Sequence, residues 1–300
     1  SGLDVGSVQL KLNDDGFYTL MIGCSDMGTG CDTILAQMAA DGLGCDMDNI
    51  IVRGVDTDQS PYDSGSYASS TTYVTGGAVV KACESMRKRI CEEAAAIMGL
   101  KSGEVDFDGE TISENDNPEH SMTLSDLITS LEAGNGRIIE VTESHTSPVS
   151  PPPFMAGAAE IEVDLETGKI TPINYVAAVD CGTVINTNLA RIQTEGGIVQ
   201  GMGMTLYEDV QYTEAGKMKN RNFMSYKIPT RLDMGSISVE FESSYEQTGP
   251  YGAKSIGEVV INTPAPAIAD AVYNATGLRF RTLPITAEQV MMGLLEREEA

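Results

Sequence analysis

The stretch Gly249–Val272, GPYGAKSIGEVVINTPAPAIADAV, joins a glycine-rich loop to the start of a helix. Glycine has no Cβ, so Gly249, Gly252 and Gly257 let the backbone of this loop approach a bulky ligand closely. One carboxylate, Glu258, stands at the end of the loop. Such a loop with a single carboxylate is predicted to position a general base. The alternative is a solvated surface charge, which is what most glutamates on loops are.

The helix that follows this loop has a clear start in the sequence. Thr263 is a favoured N-cap residue, and Pro264 suits the first helical position because an N–H there has no helical partner in any case. The pattern therefore predicts a helix from Pro264 onward, with Thr263 as its cap and Glu258 on the loop in front of it.

The element GAKSIGE, Gly252–Glu258, resembles the GxKxxGE element of the xanthine dehydrogenase and aldehyde oxidase family of molybdenum hydroxylases. The resemblance extends over nearly the whole chain, in the order of that family's C-terminal molybdenum-cofactor domain. The chain is also similar to the medium molybdopterin subunit of nicotinate dehydrogenase-type enzymes.

This resemblance implies roles for residues of the loop. Glu258 is implied to be the catalytic base, which takes the proton from a molybdenum-bound hydroxyl, and Lys254, Ser255 and Gly257 are implied to bind the cofactor. The pterin dithiolene is implied to hold the molybdenum, without a protein ligand to the metal. Because the base must be ionised, we expect Glu258 to be at most partly buried or to be offset by donors.

The stretch SDMGTGCDT, Ser25–Thr33, is a candidate phosphate-binding turn, because glycines precede a helix start and N–H groups at helix N-termini bind anions. Ordinary N-capping is the alternative. The turn resembles the family's GxxxGQG turn, whose glutamine contacts the pterin, and Thr29 stands where that glutamine is usual. The resemblance implies that Gly28, Thr29 and Gly30 bind the cofactor, with Thr29 as a departure from the family pattern.

The stretch SYASSTTYVTGG, Ser66–Gly77, is a second, hydroxyl-rich turn that leads into a long helix. It resembles the family segment that places a small residue beside the substrate and hydroxyl groups on the cofactor. Tyr67 replaces a residue that is usually small, which predicts a narrower substrate pocket. The cofactor-binding residues implied here are Ala68, Ser69, Ser70 and Thr71.

A third element, RIQTEGGIVQGMGM at Arg191–Met204, resembles the family's GQVEGAFVQGLG. Gln193 is implied to contact the cofactor. For Gln200 a structural role within the helix is equally open, because a buried glutamine without a ligand needs internal partners.

Composition restricts the class of partner. The chain of 300 residues has a formal net charge of −25, which argues against nucleic-acid or anionic-membrane partners because both need basic surfaces. No run approaches the roughly 18 to 20 apolar residues of a membrane span, and no signal-peptide pattern opens the sequence. We therefore expect a cytoplasmic protein. Its six cysteines lack metal-ligand spacing and predict reduced thiols.

The order of predicted elements indicates an α+β fold, a molybdenum-cofactor-binding domain built from two α/β subdomains with mixed sheets and flanking helices. The proline-rich stretch SPVSPPP, which ends at Pro153, is the best linker candidate. We expect a first cofactor-binding subdomain over 1–150 and a second over 151–300, which carries the Glu258 loop.

Shorter segments carry specific predictions. Asn49–Val55, NIIVRGV, predicts a short buried strand; Ser113–Ser121, SENDNPEHS, a turn-rich surface segment; and Asp209–Thr213 a further strand. The last helix is predicted to open with a capping box between Thr286 and Gln289. Turn residues between strand-like runs predict two hairpins, with turns at 14–16 and at 167–168. The long helix that ends at Gly99 is predicted to bury an apolar stripe formed by Val79, Cys83, Met86, Ile90, Ala94 and Ile97.

Together these features predict part of a molybdenum hydroxylase that inserts water-derived oxygen at an electron-poor carbon of an N-heterocycle, xanthine-like or nicotinate-like, or of an aldehyde. The resemblance implies a molybdopterin cofactor, with the cytosine dinucleotide form left open. It also implies that the chain is incomplete alone. Its implied partners are the N-terminal half of the molybdopterin-binding subunit, an iron–sulfur subunit and an FAD subunit.

A second function class stays open at the level of sequence. The chain could be a non-catalytic scaffold or cofactor-insertion module derived from the same domain. Thr29 favours that alternative, whereas the intact GAKSIGE and RIQTEG elements argue against it, because a decayed site should lose its base first.

Overall fold

The computed structural model describes residues 4–147 and 149–298. The chain divides into two compact units close to the proline-rich linker. The first comprises the residues up to Pro152 together with Tyr245–Ser255, and the second comprises Pro153–Ser244 and the residues from Ile256 onward. Tyr245–Ser255, which we expected in the second part, therefore groups with the first unit. The cofactor-binding roles of the two parts stay a prediction.

A mixed four-stranded sheet forms the framework of the first unit. Its strands are, in spatial order, β3 (Ile50–Arg53), β2 (Tyr18–Ile22), β1 (Val5–Leu12) and β7 (Ile139–Thr146). β1 pairs antiparallel with β2 and β7, whereas β2 and β3 are parallel. The prediction of a buried strand around β3 is wrong in its burial: only Ile50 is buried, because β3 lies at the sheet edge.

Two helices pack against this sheet and each other, α1 (Cys31–Leu43) and α2 (Thr71–Met98). The apolar stripe predicted for α2 is buried from Val79 to Ala94, but Ile97 is 45% exposed, so the prediction is wrong for the last residue of the stripe. Fully burying one such large aliphatic side chain stabilises a fold by about 1.5–3 kcal/mol, so this stripe is a main source of the unit's stability.

A small antiparallel sheet and a helix complete the first unit. Its strands are β4 (Val105–Phe107), β5 (Thr111–Glu114) and β6 (Asn117–Thr123), and α3 (Leu124–Asn135) follows directly. The prediction of a turn-rich segment at Ser113–Ser121 is wrong: it forms most of the β5–β6 hairpin. The charged and amide-bearing residues of this segment gave no strand pattern, because β6 is exposed at nearly every position.

The second unit is built on a three-stranded sheet in the order β10 (Ser236–Phe241), β9 (Ile170–Asp180) and β8 (Phe154–Val163). β8 and β9 form the predicted hairpin, and β10 adds in parallel to β9. The α+β prediction with mixed sheets and flanking helices is confirmed. The helices of this unit are α4 (Thr187–Leu206), α5 (Val259–Asn262), α6 (Pro264–Thr276) and α7 (Ala287–Glu298).

One face of this sheet packs on the helices. The core includes Tyr175 of β9, Ile198 and Met202 of α4, and Ile268 and Val272 of α6, all 0–1% exposed. Among the described residues, no helix has both the length and the apolar character needed to cross a lipid bilayer.

Two local predictions for the second unit, a strand and a capping box, have different outcomes. The strand at Asp209–Thr213 is wrong, since the segment makes only an isolated bridge between Tyr212 and Met218. The capping box is confirmed: the Thr286 N–H donates to Gln289 Oε1 at 3.0 Å, and the Gln289 N–H donates to Thr286 Oγ1 at 3.2 Å.

The helix at Pro264 is confirmed and Thr263 occupies its N-cap position, but the Thr263 side chain does not form the expected cap. The Thr263 side chain caps no N–H group of α6. Its Oγ1 instead accepts a hydrogen bond of 2.8 Å from the hydroxyl of Tyr175, which is fully buried and needs a partner. The short helix α5 between Glu258 and this proline is not predicted by the sequence.

Candidate functional site

The glycine turn of the first unit is organised by one carboxylate, Asp26. Its Oδ1 accepts hydrogen bonds from the N–H groups of Gly28 at 2.8 Å and Gly30 at 3.2 Å, and its Oδ2 accepts from Asp32 at 3.3 Å. Partial burial opposes ionisation, but the bonds from these backbone groups and from Thr29 outweigh it and lower the pKa of Asp26. The backbone donors of this turn are thus already paired with an anion of the protein itself.

Asp26, Cys31 and Asp32 each place a possible metal-ligand atom within 4.8 Å of the others. Their chemistry does not favour a metal. A hydrogen bond with Cys24 and burial raise the pKa of the Cys31 thiol, so it stays protonated, and a protonated thiol is a poor ligand.

The two N-terminal stretches singled out by the sequence lie side by side. The hydroxyl of Ser66 donates a hydrogen bond of 2.7 Å to the carbonyl oxygen of Ser25, across 41 residues of sequence. The Tyr67 hydroxyl donates to the carboxylate of Asp4, next to the start of β1. Tyr67 is 49% exposed, so this bond ties an otherwise open tyrosine to the strand framework.

The turn into α2 holds two residues in a conformation that L-amino acids rarely adopt. Ala68 has φ 48° and Ser69 has φ 57°. Left-handed backbone at a residue other than glycine costs free energy and is frequent at ligand sites. The Ser70 hydroxyl donates to the Tyr67 carbonyl oxygen at 2.9 Å, which stabilises the turn.

The N-terminus of α2 offers backbone donors to an anion. Within the described residues no side chain caps it, and its first turn, which begins at Thr71, has no acidic residue. Unpaired N–H groups at the start of a helix, together with its dipole, favour a bound anion such as a phosphate. The two turns therefore differ: the first is closed by Asp26, and the second remains open at the helix start.

The glycine-rich loop near Glu258 contains an orphaned polar atom. Ser255 Oγ is shielded from solvent and has no hydrogen-bond partner among the described residues. A buried hydroxyl without a partner costs about 1–3 kcal/mol, and such atoms in native proteins usually have a ligand, water or ion to bind. Lys254, beside it, is half-buried.

Glycines of α4 allow the helix before Pro264 to pack very closely. A Cβ atom on Gly197 would lie 2.2 Å from Val260 Cγ2, and one on Gly201 would lie 2.7 Å from Pro264 Cγ and 3.0 Å from the Ile261 carbonyl oxygen. Real Cβ contacts are never this short, so only glycine is compatible with the packing of α4 against α5 and α6.

These contacts also give the direction of the two helices. The contact moves from Val260 of α5 to Pro264, the first residue of α6, as α4 advances from Gly197 to Gly201, so the segment Val260–Pro264 runs in the same direction as α4. Gln193 lies one turn before Gly197 on the same face of α4, because residues four apart share a face. Glu258 lies directly before α5, where it is the exposed N-cap residue.

Gln193 and Glu258 therefore lie at the same end of the α4–α5 pair. Gly257 is exposed next to Glu258. Gln200, by contrast, is exposed on α4 away from this end, so it has no need of buried partners.

Each unit contains groups that are suited to a polar or phosphorylated ligand. The open N-terminus of α2 and the hydroxyl-rich turn before it suit phosphates in the first unit, and the orphaned hydroxyl of Ser255 suits a polar ring substituent. In the second unit, Gln193 and Glu258 lie at the same end of the α4–α5 pair. Sequence reasoning missed Asp26, whose only signal was an acidic residue two positions before a glycine turn.

Comparison with known proteins gives the class of protein. The chain belongs to the molybdopterin cofactor-binding domain family, whose model matches residues 1–235. Its relatives and structural neighbours are molybdenum hydroxylases of the xanthine dehydrogenase, aldehyde oxidoreductase and CO dehydrogenase type, which confirms the resemblance stated above.

Individual relatives show what share of such proteins the chain represents. It is 32% identical over 297 residues to the probable hypoxanthine oxidase XdhD of Escherichia coli K12, covering 97% of this chain and 30% of that protein. It is 28% identical over 298 residues to the nicotine 6-hydroxylase large subunit of Paenarthrobacter nicotinovorans, covering 94% of this chain and 36% of the relative. The chain spans about a third of the length of these relatives.

Among solved structures, quinoline 2-oxidoreductase from Pseudomonas putida 86 superposes with a TM-score of 0.89 at 25% identity, covering 98% of this chain and 38% of that one. The fold of the described units is therefore that of a molybdenum hydroxylase large subunit.

Proposed function

We propose that this chain supplies the catalytic base and part of the cofactor cleft of a molybdenum hydroxylase. The observation that carries the proposal is the common position of Gln193 and Glu258 at one end of the α4–α5 pair, held by glycine contacts that allow little displacement. When bound, the molybdenum–pterin cofactor supplies the oxygen-insertion and two-electron redox chemistry. Glu258 is exposed, as a base that must receive a proton from a bound reactant should be.

The roles of the other residues follow from their positions. The N–H groups at the start of α2 and the turn from Ala68 to Thr71 bind phosphate oxygens, and Ser255 Oγ donates to a polar atom of the pterin. Lys254 and Gly257 let the loop approach the cofactor. Gln193 orients the cofactor through its side-chain amide. The turn from Gly28 to Gly30 contributes the Thr29 side chain, because its N–H groups are occupied by Asp26.

The proposed substrate is an N-heterocycle. Three proteins similar to this chain are named for such compounds: hypoxanthine, nicotine and quinoline. The exposed Tyr67 at the turn that borders the cofactor supports a flat ring, which it could stack against. The proposal includes the N-terminal half of the subunit, iron–sulfur and FAD subunits, a pterin that carries a cytosine dinucleotide, and a cytoplasmic location.

The test is the Glu258→Gln variant of the native protein, purified with everything that accompanies it. Loss of a general base costs about 10²–10⁴-fold, so we expect turnover of an N-heterocycle to fall at least 10²-fold while molybdenum content is unchanged. The matched control is Glu214→Gln, an exposed glutamate of the turn between Thr213 and Lys217, with turnover as in the wild type. Normal turnover in Glu258→Gln would refute the assignment.

Molybdenum content distinguishes the second candidate. Intact complexes without molybdenum or pterin would favour the scaffold or insertion module, for which the departure at Thr29 is the supporting feature. About one molybdenum per chain, together with iron, would support the hydroxylase.

A further inference from the structure

The sheet of the second unit has one face on its helices and the other face open. Along β9, Tyr175, Ala177 and Val179 are buried toward the helices, whereas the alternate residues Val176 and Ala178 are exposed. This alternation is what a strand with one packed face must show, because successive side chains point to opposite sides.

Part of the open face is apolar where a solvated face should be polar. The strand register places Ala158, Val176 and Ser238 in one row across the sheet, and Ala156 beside Ala178 in the next. All of these residues are exposed. We use the name outer sheet face for the set Phe154, Ala156, Ala158, Val176, Ala178 and Ser238.

Neither solubility nor strand formation explains this composition. Antiparallel pairs that face water usually carry polar side chains on that side, and alanine is depleted in strands. Phe154 is 61% exposed and Val176 is 44% exposed, although the chain has 44 acidic residues that could solvate such positions. Small side chains make a smooth surface that lets another backbone approach closely. The outer sheet face is therefore suited to burial against protein.

The other positions on the same side of the sheet are polar: Glu160, Asn174 and Ser236 form the next row. Glu160 and Glu162 lie farther along β8, and Glu240 lies on β10 directly opposite Ala178. An apolar centre with a charged rim is the usual anatomy of a protein interface. The acidic rim calls for lysine or arginine on the partner.

We propose that the outer sheet face binds the part of the catalytic polypeptide or subunit that lies outside this chain, through an apolar segment flanked by basic residues. The chain covers only 30% of XdhD and 39% of the molybdenum-binding subunit XdhA of Escherichia coli, so most of such a protein remains to cover it. This inference rests on the proposed function in one respect: the partner is the remainder of the same catalytic unit.

The first test measures whether the face is covered in the native protein. Ala158→Cys is compared with the matched control Ala275→Cys, on the exposed side of α6 in the same unit. Labelling by a maleimide is followed at each position by peptide mass spectrometry. We expect Ala158→Cys to react at least about 100-fold more slowly than the control, because labelling then requires the interface to open, and at the same rate after unfolding. Equal rates in the native protein would overturn the proposal.

The second test identifies what covers the face. A photoreactive maleimide on Ala158→Cys is activated in the purified native protein, and the linked peptide is sequenced. A peptide from the catalytic polypeptide or subunit outside these 300 residues supports the proposal. A peptide from a second copy of this chain, from its own first unit, or from an iron–sulfur or flavin protein overturns it.

Molybdenum analysis of the same preparations separates the two claims. Slow labelling of Ala158→Cys in a protein without molybdenum would support the interface and contradict the proposed function. A freely labelled Ala158→Cys in a protein with molybdenum would refute the interface and leave the function standing.

Discussion

Gly197 on α4 and Val260 on α5 are so close that a single added Cβ on Gly197 would lie 2.2 Å from Val260 Cγ2. The neighbouring Gly196 is exposed, and a Cβ there would meet no atom within 4 Å in the described part of the chain. Of two adjacent glycines of one helix, Gly196 has room for a side chain and Gly197 has none. Gly197 packs against α5, the helix that follows Glu258.

Substitution of these two glycines should have opposite effects. Gly197→Ala forces α5 away from α4, at about 1–3 kcal/mol of stability for overpacking, and displaces Glu258 with it. Gly196→Ala should stabilise by up to about 1 kcal/mol, because alanine is the better helix former. Chemical denaturation and turnover on the native protein measure both. Equal stability of the two variants would contradict the close packing of these helices.

The Asp26 turn should depend on its carboxylate. Asp26→Ala removes all three backbone hydrogen bonds, whereas Asp26→Asn keeps one acceptor oxygen and with it the bonds from Gly28 and Gly30. We expect Asp26→Ala to lose more bound pterin than Asp26→Asn, as measured by fluorescence of the released cofactor. The control is Asp58→Ala, an exposed aspartate of another loop, with normal pterin content.

The same carboxyl has a defined pH signature. Because its pKa in the folded protein lies below the ordinary 3.8, its stabilising effect is complete above about pH 4 and is lost as the pH falls further. The stability difference between wild type and Asp26→Ala should therefore shrink only in that acidic range. A difference that disappears near neutral pH would show that another group is responsible.

Ser255→Ala should separate a ligand-binding hydroxyl from a structural one. Removal of a shielded hydroxyl without a described partner should leave the cofactor-free protein as stable or up to about 1–3 kcal/mol more stable. The same change should weaken retention of the pterin, measured as release during dialysis. A loss of cofactor-free stability would mean that the hydroxyl has a structural partner. Ser243→Ala, at an exposed serine, is the control.

His145 should make the first unit sensitive to acid. Its ring nitrogens are shielded and lack partners among the described residues, and a Cβ on Gly77 of α2 would lie 2.6 Å from its ring. Burial lowers the pKa of His145 below 6.5, and the positive charge of Lys81 lowers it further. Glu143, on the same face of β7, is engaged by the Ser85 hydroxyl at 2.7 Å.

The sign of the effect follows from that depressed pKa. Above about pH 6.5 the ring is neutral in both states, and its contribution to stability is complete; below it the unfolded chain takes up the proton first, so stability falls. We expect His145→Leu to flatten the decline in unfolding free energy between about pH 6.5 and 5. A decline in His145→Leu as steep as in the wild type would contradict this role of the ring.

Local patterns were sufficient for much of the fold. The β1–β2 hairpin, the buried stripe of α2 and the Thr286–Gln289 capping box each depend on residues within a few positions of one another. Each is confirmed, except that Ile97 at the end of the stripe is exposed. Where local composition conflicted with tertiary packing, prediction failed. The polar segment from Ser113 became a hairpin, and the Thr263 hydroxyl bonded to Tyr175 instead of capping its helix.

The candidate site divides in the same way. The GAKSIGE and RIQTEG elements pointed to Glu258 and Gln193, because a motif of close-approach glycines and one functional side chain can be read from consecutive residues. Their position at one end of a helix pair could not be read there, since Gly197 and Val260 are more than sixty residues apart. The role of Asp26 was likewise hidden, because the conformation of the turn decides which N–H groups it binds.

The sequence by itself determined the family, the residue types of the site and the helices and strands with regular patterns, because short-range interactions and covalent spacing govern these features. The tertiary structure alone decided which glycine has no room for a Cβ, which backbone N–H donors are already paired with Asp26 and which sheet face is uncovered. Those properties depend on contacts between residues distant in sequence, whose separation in space no local pattern encodes.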